Sequence, residues 1–336
     1  MRQARIVVPA EEGPGVYHAM TRTVNGEKLF DDVAKEVLRK QLWQIADYCG
    51  VTVHTYALLP NHFHVLVAVP QKIEIPDAEL LRRYQVLYPR PTRYQTARLA
   101  VIQAQLTTNG PEAVLWRRRQ LALMGNLSQF MKLLKQRFSI WFNKRHRRFG
   151  TLWAERFKSV LVESNQQVLE TIAAYIDLNC VRARLAADPK DYRFCGYAEA
   201  VAGSRRAQAG IAAVFGAAGR SWREVHAGYR VLLFGTGAGP REHQGTLSPA
   251  EFQNVLRAGG QLPRATVLRC RVRYFSDGAV LGSRAFVALQ LARFRPRAGP
   301  GACAAPCLLP NIADWSDLAT LRKLRGLAFQ SSRPPR

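Results

Sequence analysis

Apolar and polar positions alternate or recur along the first two hundred residues in patterns that predict a short series of elements. Residues 15 to 24, GVYHAMTRTV, mix β-branched and aromatic side chains and predict a strand. Residues 27 to 50 carry Phe30, Val33, Val37, Leu42 and Ile45 near one helical stripe, and Gly50 is the stop signal. VTVHTYALLP (51 to 60) predicts a second strand, Pro60-Asn61 a turn, and HFHVLVAVP a third strand. Strands joined so tightly pair antiparallel. From Asn126 to about Lys144 the stripe Leu127, Phe130, Met131, Leu134, Phe138 and Phe142 predicts a helix, with Asn126 and Gln129 as a capping-box-like start. WAERFKSVLVES (153 to 164) then predicts a strand and residues 165 to 186 another helix.

Strand, helix, strand, strand, helix, strand and closing helix make an α+β pattern with a mostly antiparallel sheet over residues 1 to 200. Residues 71 to 125, with helical fragments and the runs PRPTRY and WRRRQ, interrupt it as a basic insertion. Residues 201 to 245 are expected as a Gly/Ala-rich linker around a short helix, SWREVHAGYRVLLF. A capping box at Ser248 and Glu251 and the stretch GSRAFVALQLARF suggest a small, mainly helical module over 246 to 295. The Pro- and Arg-rich residues 296 to 336 are expected to be a loosely ordered tail.

Charge narrows the class of partner. Lys and Arg number 49 against 24 Asp and Glu, a net charge of +25, and such an excess favours a polyanion, nucleic acid before an anionic membrane surface. No stretch has the apolar length to cross a bilayer, and the first residues lack a signal-peptide core. Six cysteines without framework spacing read as reduced thiols, consistent with a cytoplasmic setting.

Within the third strand, His62 and His64 stand one residue apart, so both point to one face while Phe63 points into the core. They are either a polar surface pair or the holders of something. On the closing helix Tyr175, Asn179 and Arg182 share a face opposite Val168, Ile172 and Ile176, and by spacing alone a solvated surface is the favoured reading. Taken together the groups suit one reaction. Two imidazoles and an amide oxygen can bind a divalent cation and leave positions open for a phosphate. A tyrosine hydroxyl beside such a cation can attack a phosphodiester and become covalently linked to it. That exchange conserves the bond energy, and the sequence has no GxxxxGK[ST] nucleotide loop.

YALLPNHFHVLV resembles the His-hydrophobic-His motif of single-tyrosine transposases, the IS200-like superfamily. GTLWAERFKSVLVES and AAYIDLNCVRARL are similar to the segments that follow it in REP-associated tyrosine transposases, with order and spacing kept over roughly residues 14 to 200. RYFSDGAVLGSRAFV (273 to 287) resembles the C-terminal extension of longer members. The resemblance implies a ferredoxin-like, RRM-like core with His62 and His64 on a central strand, Tyr175 as nucleophile and Asn179 as third metal ligand. It implies Mg²⁺ or Mn²⁺, and cleavage and rejoining of single-stranded DNA at REP-like hairpins or insertion-element ends. It also implies DNA transposition, a bacterial cytoplasm with association to the nucleoid, and a homodimer as one allowed assembly. One departure is visible: the family commonly has Asn-Pro where this chain has Asn179-Cys180.

Two other readings compete. One is a domesticated DNA-binding protein that keeps the fold without turnover. The other is an RNA-binding regulator, for which the RNP signature of RRM domains is missing. Lys144, Arg145, Arg147 and Arg148, in the run NKRHRR, are expected to contact phosphate together with Arg156 and Arg182. His146 is expected to be part of that basic surface, while His18 and His54 are candidates to lie near the site.

Overall fold

Strand β1 (Gly15–Arg22) lies in the middle of the sheet and is buried along nearly its whole length. Helix α1 (Asp32–Cys49) follows, starting later than the apolar pattern implies because the Asp31 carboxylate accepts from Ala34 N at 2.7 Å. Val33 falls off the buried stripe and is 46% exposed. Gly50, at φ 66°, ends the helix in the left-handed conformation that a glycine adopts without strain. Strands β2 (Thr52–Leu59) and β3 (His62–Val69) then form the expected hairpin, with a bulge in β2 between Val53 and Thr55. In this computed structural model the described residues are 6–8, 12–70, 74–90, 94, 97–216, 220–234, 274–294, 306–308 and 317–321.

The basic insertion contains helices α2 (Asp77–Leu87), α3 (Leu99–Thr108) and α4 (Pro111–Leu121), gathered around a small core of Ile102, Leu106 and Ala113. Three of its arginines are paired: Arg117 with Asp77 at 2.6 Å, Arg82 with Asp47 at 2.7 Å, and Arg83 with Glu79 at 2.6 Å. Helix α5 (Leu127–Arg145) buries all six residues of its expected stripe. Asn126 caps it, accepting from Ser128 N at 2.8 Å, but Gln129 does not close the box, since its Oε1 is buried without a partner.

Strand β4 (Lys158–Val162) is shorter than the sequence pattern, because Trp153 turns its indole into the core and donates to Ser139 Oγ at 2.8 Å. The first four strands have the order β2-β3-β1-β4, all antiparallel, with helices after β1 and β3. This is the ferredoxin-like arrangement expected from the sequence. Helices α1 and α5 cover one face, where Phe63 packs on Trp153 at 5.9 Å and Phe30 meets Phe138 at 5.3 Å.

Helices α6 (Gln166–Asp177), α7 (Asn179–Arg182), α8 (Gly196–Val201), α9 (Arg205–Val214) and α10 (Trp222–Phe234) follow β4. The expected 165 to 186 helix is thus split at Leu178 and ends at Arg182. Helix α10 matches the short helix expected at 221 to 234, whereas residues 205 to 214, expected as linker, are a packed helix. Helix α9 buries Ala207, Gly210, Ile211 and Val214, and a Cβ on Gly210 would lie 2.5 Å from the carbonyl oxygen of Val53. The small residues that resemble a linker in sequence are what allow a helix this close to β2.

Of the expected, mainly helical module at 246 to 295, the helix at 248 to 260 lies outside the described residues, and the described residues 274 to 294 are two helices with a short strand between them that joins the sheet. A single turn, α11 (Tyr274–Asp277), leads into strand β5 (Val280–Ser283), which pairs in parallel with β4, and only then into helix α12 (Arg284–Phe294). Two short strands from the expected tail, β6 (Cys307–Leu308) and β7 (Leu318–Leu321), complete a seven-stranded sheet of order β2-β3-β1-β4-β5-β7-β6. Glu163 pins the junction, accepting from Ser283 N at 2.6 Å and Ser283 Oγ at 3.1 Å.

Candidate active site

Antiparallel register determines which side chains share the second face of the sheet. Arg22 lies opposite His62, Met20 opposite His64, and His18 opposite Leu66, so strand alternation puts all six on one side. Phe63, one step out of phase, is fully buried on the other side as expected. The His62 and His64 rings are 5.2 Å apart between centroids. His64 is only 5% exposed and His18 not at all. Neither is a solvated surface histidine.

Each imidazole is held by a short polar chain. Asn61 Nδ2 donates to the Gly26 carbonyl at 2.9 Å, which leaves Asn61 Oδ1 as acceptor for His62 Nδ1 at 2.6 Å. With its proton on Nδ1, neutral His62 carries its lone pair on Nε2. His64 Nδ1 lies 2.8 Å from His18 Nε2, and His18 Nδ1 lies 2.8 Å from the carbonyl oxygen of Phe275. Burial, opposed by the Phe275 hydrogen bond and assisted by the Arg182 charge, lowers the pKa of His18 to about 4. The pKa of His64 is also lowered well below the ordinary imidazole value, first by burial and then by His18, His62, Arg182 and Arg22. Both are neutral near pH 7, the form in which imidazole can ligate a metal.

Helix α6 delivers the tyrosine to the same face. The Tyr175 ring sits edge-on to His18 at 6.0 Å and to His64 at 6.1 Å, with Phe275 on another side at 4.8 Å. Arg182, one turn beyond the end of α6, places its guanidinium 4.3 Å over the Tyr175 ring and donates to the Tyr175 carbonyl at 2.5 Å. Asn179 donates through Nδ2 to the Tyr175 and Ile176 carbonyls at 3.2 and 3.1 Å, which leaves Oδ1 as its acceptor atom. Cys180, next to Asn179, is fully buried and donates its thiol to the Asp177 carbonyl at 3.2 Å. Among the described residues no group of three or more His, Cys, Asp or Glu side chains is placed to hold a metal. A donor set of two imidazole Nε2 atoms and a carboxamide oxygen does not need one.

Asp177 was not among the expected residues. It is fully buried and accepts from Thr55 Oγ1 at 2.8 Å, from Tyr197 N at 3.2 Å and from the Tyr229 hydroxyl, tying the end of α6 to β2, α8 and α10. Burial raises its pKa to about 7 against the opposing pull of those hydrogen bonds. His18, a candidate from the sequence, does lie at the site, whereas Phe275, 257 positions away from it, is a site residue that spacing does not reveal. His54 sits in the bulge of β2, and His146 stacks on Phe142 at 4.2 Å at the end of α5, within the basic run as expected.

Lys144, Arg145 and Arg147 are exposed, and Arg156 is exposed on the segment before β4. Arg148 pairs with Glu27 at 3.8 Å, beside Gly26, whose carbonyl holds Asn61. The basic run therefore lies at the His62 end of the sheet, and Phe149 within it is 95% exposed.

Residues 15–83, from β1 into α2, match the family of IS200-like transposases. The matched segment contains His62 and His64 and stops short of Tyr175 and Asn179. No curated protein sequence matches the chain. Among solved structures, a REP-associated tyrosine transposase bound to a REP hairpin aligns with 60% of this chain and 87% of its own length, at 13% identity and a TM-score of 0.35.

Proposed function

We propose that this protein cuts and rejoins single-stranded DNA through a covalent link to Tyr175. The observation that carries the proposal is the placement of the Tyr175 ring 6.1 Å from His64, on the sheet face where His62 and His64 stand side by side. The IS200-like match over residues 15–83, which include the strand that bears both histidines, supports it.

In this reading His62 and His64, with Asn179 Oδ1, would hold Mg²⁺ or Mn²⁺. The bound cation would supply charge neutralisation at the scissile phosphodiester. Tyr175 Oη attacks phosphorus and loses its proton. The bond to the leaving 3′ oxygen breaks, that oxygen takes up a proton, and the 5′ phosphate stays on Tyr175. Attack by a 3′ hydroxyl on the phosphotyrosine reverses the steps and rejoins a strand, with no external energy source. Arg182 orients the tyrosine ring and its helix end, while Lys144, Arg145, Arg147, Arg148 and Arg156 offer a path for the phosphate backbone at the His62 end of the sheet. The substrate form we favour is a single strand flanking a hairpin, since a flexible strand can bring its phosphate to a tyrosine that is 6% exposed.

That low exposure is also what favours the alternative, a DNA-binding protein without turnover. Covalent trapping separates the two. The full chain with Mn²⁺ and end-labelled DNA, presented as single strand, as hairpin with single-stranded flank and as full duplex, should give a denaturant-resistant adduct on the first two forms. The adduct should be absent from Tyr175→Phe, which should still bind. Binding without an adduct on any form supports the alternative, and equal cutting of the duplex points to a different nuclease mechanism.

A further inference from the structure

The contact between Phe275 and His18 brings the far end of the chain into the site. The Phe275 main-chain oxygen can only accept, so the proton between it and His18 Nδ1, 2.8 Å away, belongs to the imidazole. A neutral His18 then has its lone pair on Nε2. The next atom along, His64 Nδ1 at 2.8 Å, must therefore donate. That in turn leaves the His64 lone pair on Nε2, the same ring atom that carries the lone pair on His62 when Asn61 accepts from its Nδ1. No carboxylate faces either ring in the contacts described; the charged groups around them, Arg182 from α7 and Arg22 from β1, are cations and oppose an imidazolium. The Phe275 ring, fully buried, lies 4.8 Å from Tyr175.

We infer that the C-terminal segment is a working part of the candidate site: the Phe275 carbonyl, through His18, sets the proton of His64 on Nδ1 and so keeps its Nε2 available to a cation, while the Phe275 ring seats Tyr175. His18 and Phe275 are positioning residues, acting through His64 and Tyr175. The inference deepens the proposed function and rests on it for the meaning of the bare Nε2, but the proton arrangement itself is independent of any reaction. The segment is held in place by means separate from the site, through the parallel β4–β5 pairing, Leu161 N donating to the Ala279 carbonyl at 2.9 Å, and the Glu163–Ser283 bonds. Outer partners of this kind fix the ring orientation and tautomer of a ligating histidine, and losing one typically costs 10- to 100-fold in metal affinity.

The test reads tautomers directly. In the full chain with ¹⁵N-labelled histidine, a long-range ¹H–¹⁵N correlation spectrum resolves the seven imidazoles, and His64→Gln assigns the signal. Without added metal, wild-type His64 should carry its proton on Nδ1; a proton on Nε2 overturns the inference outright, whatever the protein does to DNA. His18→Leu should abolish the preference and weaken Mn²⁺ binding, read by electron paramagnetic resonance of the free ion, by about 10- to 100-fold. His18→Gln, whose amide oxygen can accept where Nε2 did, should restore both. If His18→Leu keeps the wild-type tautomer and Mn²⁺ affinity, the positioning role is refuted while the metal-based function survives. If the wild type shows the Nδ1 proton yet binds Mn²⁺ no better than His62→Ala, the proton arrangement stands and the metal-based function fails. Should His18→Leu not fold, the wild-type spectrum still decides.

Discussion

His18 and His64 meet ring to ring across two central strands, Nε2 to Nδ1 at 2.8 Å, although their backbone positions are diagonal: His18 pairs with Leu66, and His64 with Met20. A diagonal neighbour in an antiparallel pair is within reach of a long or aromatic side chain. The motif His-x-His is therefore not a symmetrical pair. His62 is at the rim beside a turn, and His64 is at the centre of a polar chain that runs to the last third of the protein.

That asymmetry predicts different costs for the two alanine variants. His64→Ala leaves His18 Nε2 buried without a partner and should destabilise the fold by roughly 1–3 kcal/mol. His62→Ala, at a half-buried site with a turn residue as its partner, should cost about 1 kcal/mol or less. Both should weaken Mn²⁺ binding. Urea titration of the two variants checks the first pair of values and calorimetry the last.

Arg182→Lys keeps the positive charge but cannot both lie flat on the Tyr175 ring and donate to the Tyr175 carbonyl. Adduct formation should slow by roughly tenfold, equivalent to about 1.4 kcal/mol of barrier. Affinity for single-stranded DNA should change less than the rate. An unchanged rate in single-turnover trapping would show that the guanidinium does not orient the tyrosine.

Asp177 makes stability depend on pH in the direction opposite to an ordinary surface carboxylate. Its folded pKa, about 7, lies above the ordinary aspartate value of 3.8, so the folded protein holds the proton more tightly. The stabilisation linked to that proton is fully present below pH 4 and is lost as pH rises through about 7. Asp177→Asn cannot ionise, so the difference in unfolding free energy between pH 5 and pH 8 should shrink in the variant by on the order of 2 kcal/mol. Denaturation curves at both pH values measure it.

Phe149, almost fully exposed among Arg145, Arg147 and Arg148, is placed to stack on an unpaired base. Phe149→Ala should weaken single-strand binding by roughly 1–3 kcal/mol and leave duplex binding and thermal stability unchanged. Arg147→Ala should instead lower affinity for all sequences and reduce the steepness of the salt dependence by about one counterion. Fluorescence anisotropy across a salt series distinguishes the two signatures.

The elements that could be read from sequence are those whose signals are local. The β1-α1-β2-β3 run, the α5 stripe and the shared face of His62 and His64 follow from periodicity, a cap and a tight turn. The elements misread are those whose reason is elsewhere in the chain. Residues 205 to 214 look like a linker because small side chains have no apolar signal, yet Gly210 is small because Val53 is against it. Residues 280 to 283 are too few to announce a strand, and it is β4 that makes them one. His18 is a candidate for the neighbourhood of the site from sequence, but its partner is not, because the β1–β3 register, which aims it at His64, is not written in either strand alone. Asp177 and Phe275 act through partners on four other elements, and no spacing rule connects them.

The parallel seam between β4 and β5 has a consequence for how the protein is made. Ser283 is 120 residues downstream of Glu163. A ribosome adds about 5–20 residues per second, so β4 leaves it on the order of ten seconds before its neighbour exists. Through that interval the nascent sheet has an open, apolar edge at Val160 to Val162, the kind of strand that pairs with other chains. Translation that stalled or ended between Arg182 and Phe275 would release a chain with Tyr175 and both motif histidines but with neither its sheet edge covered nor His18 held. Such fragments should accumulate as aggregates rather than as soluble partly folded chains.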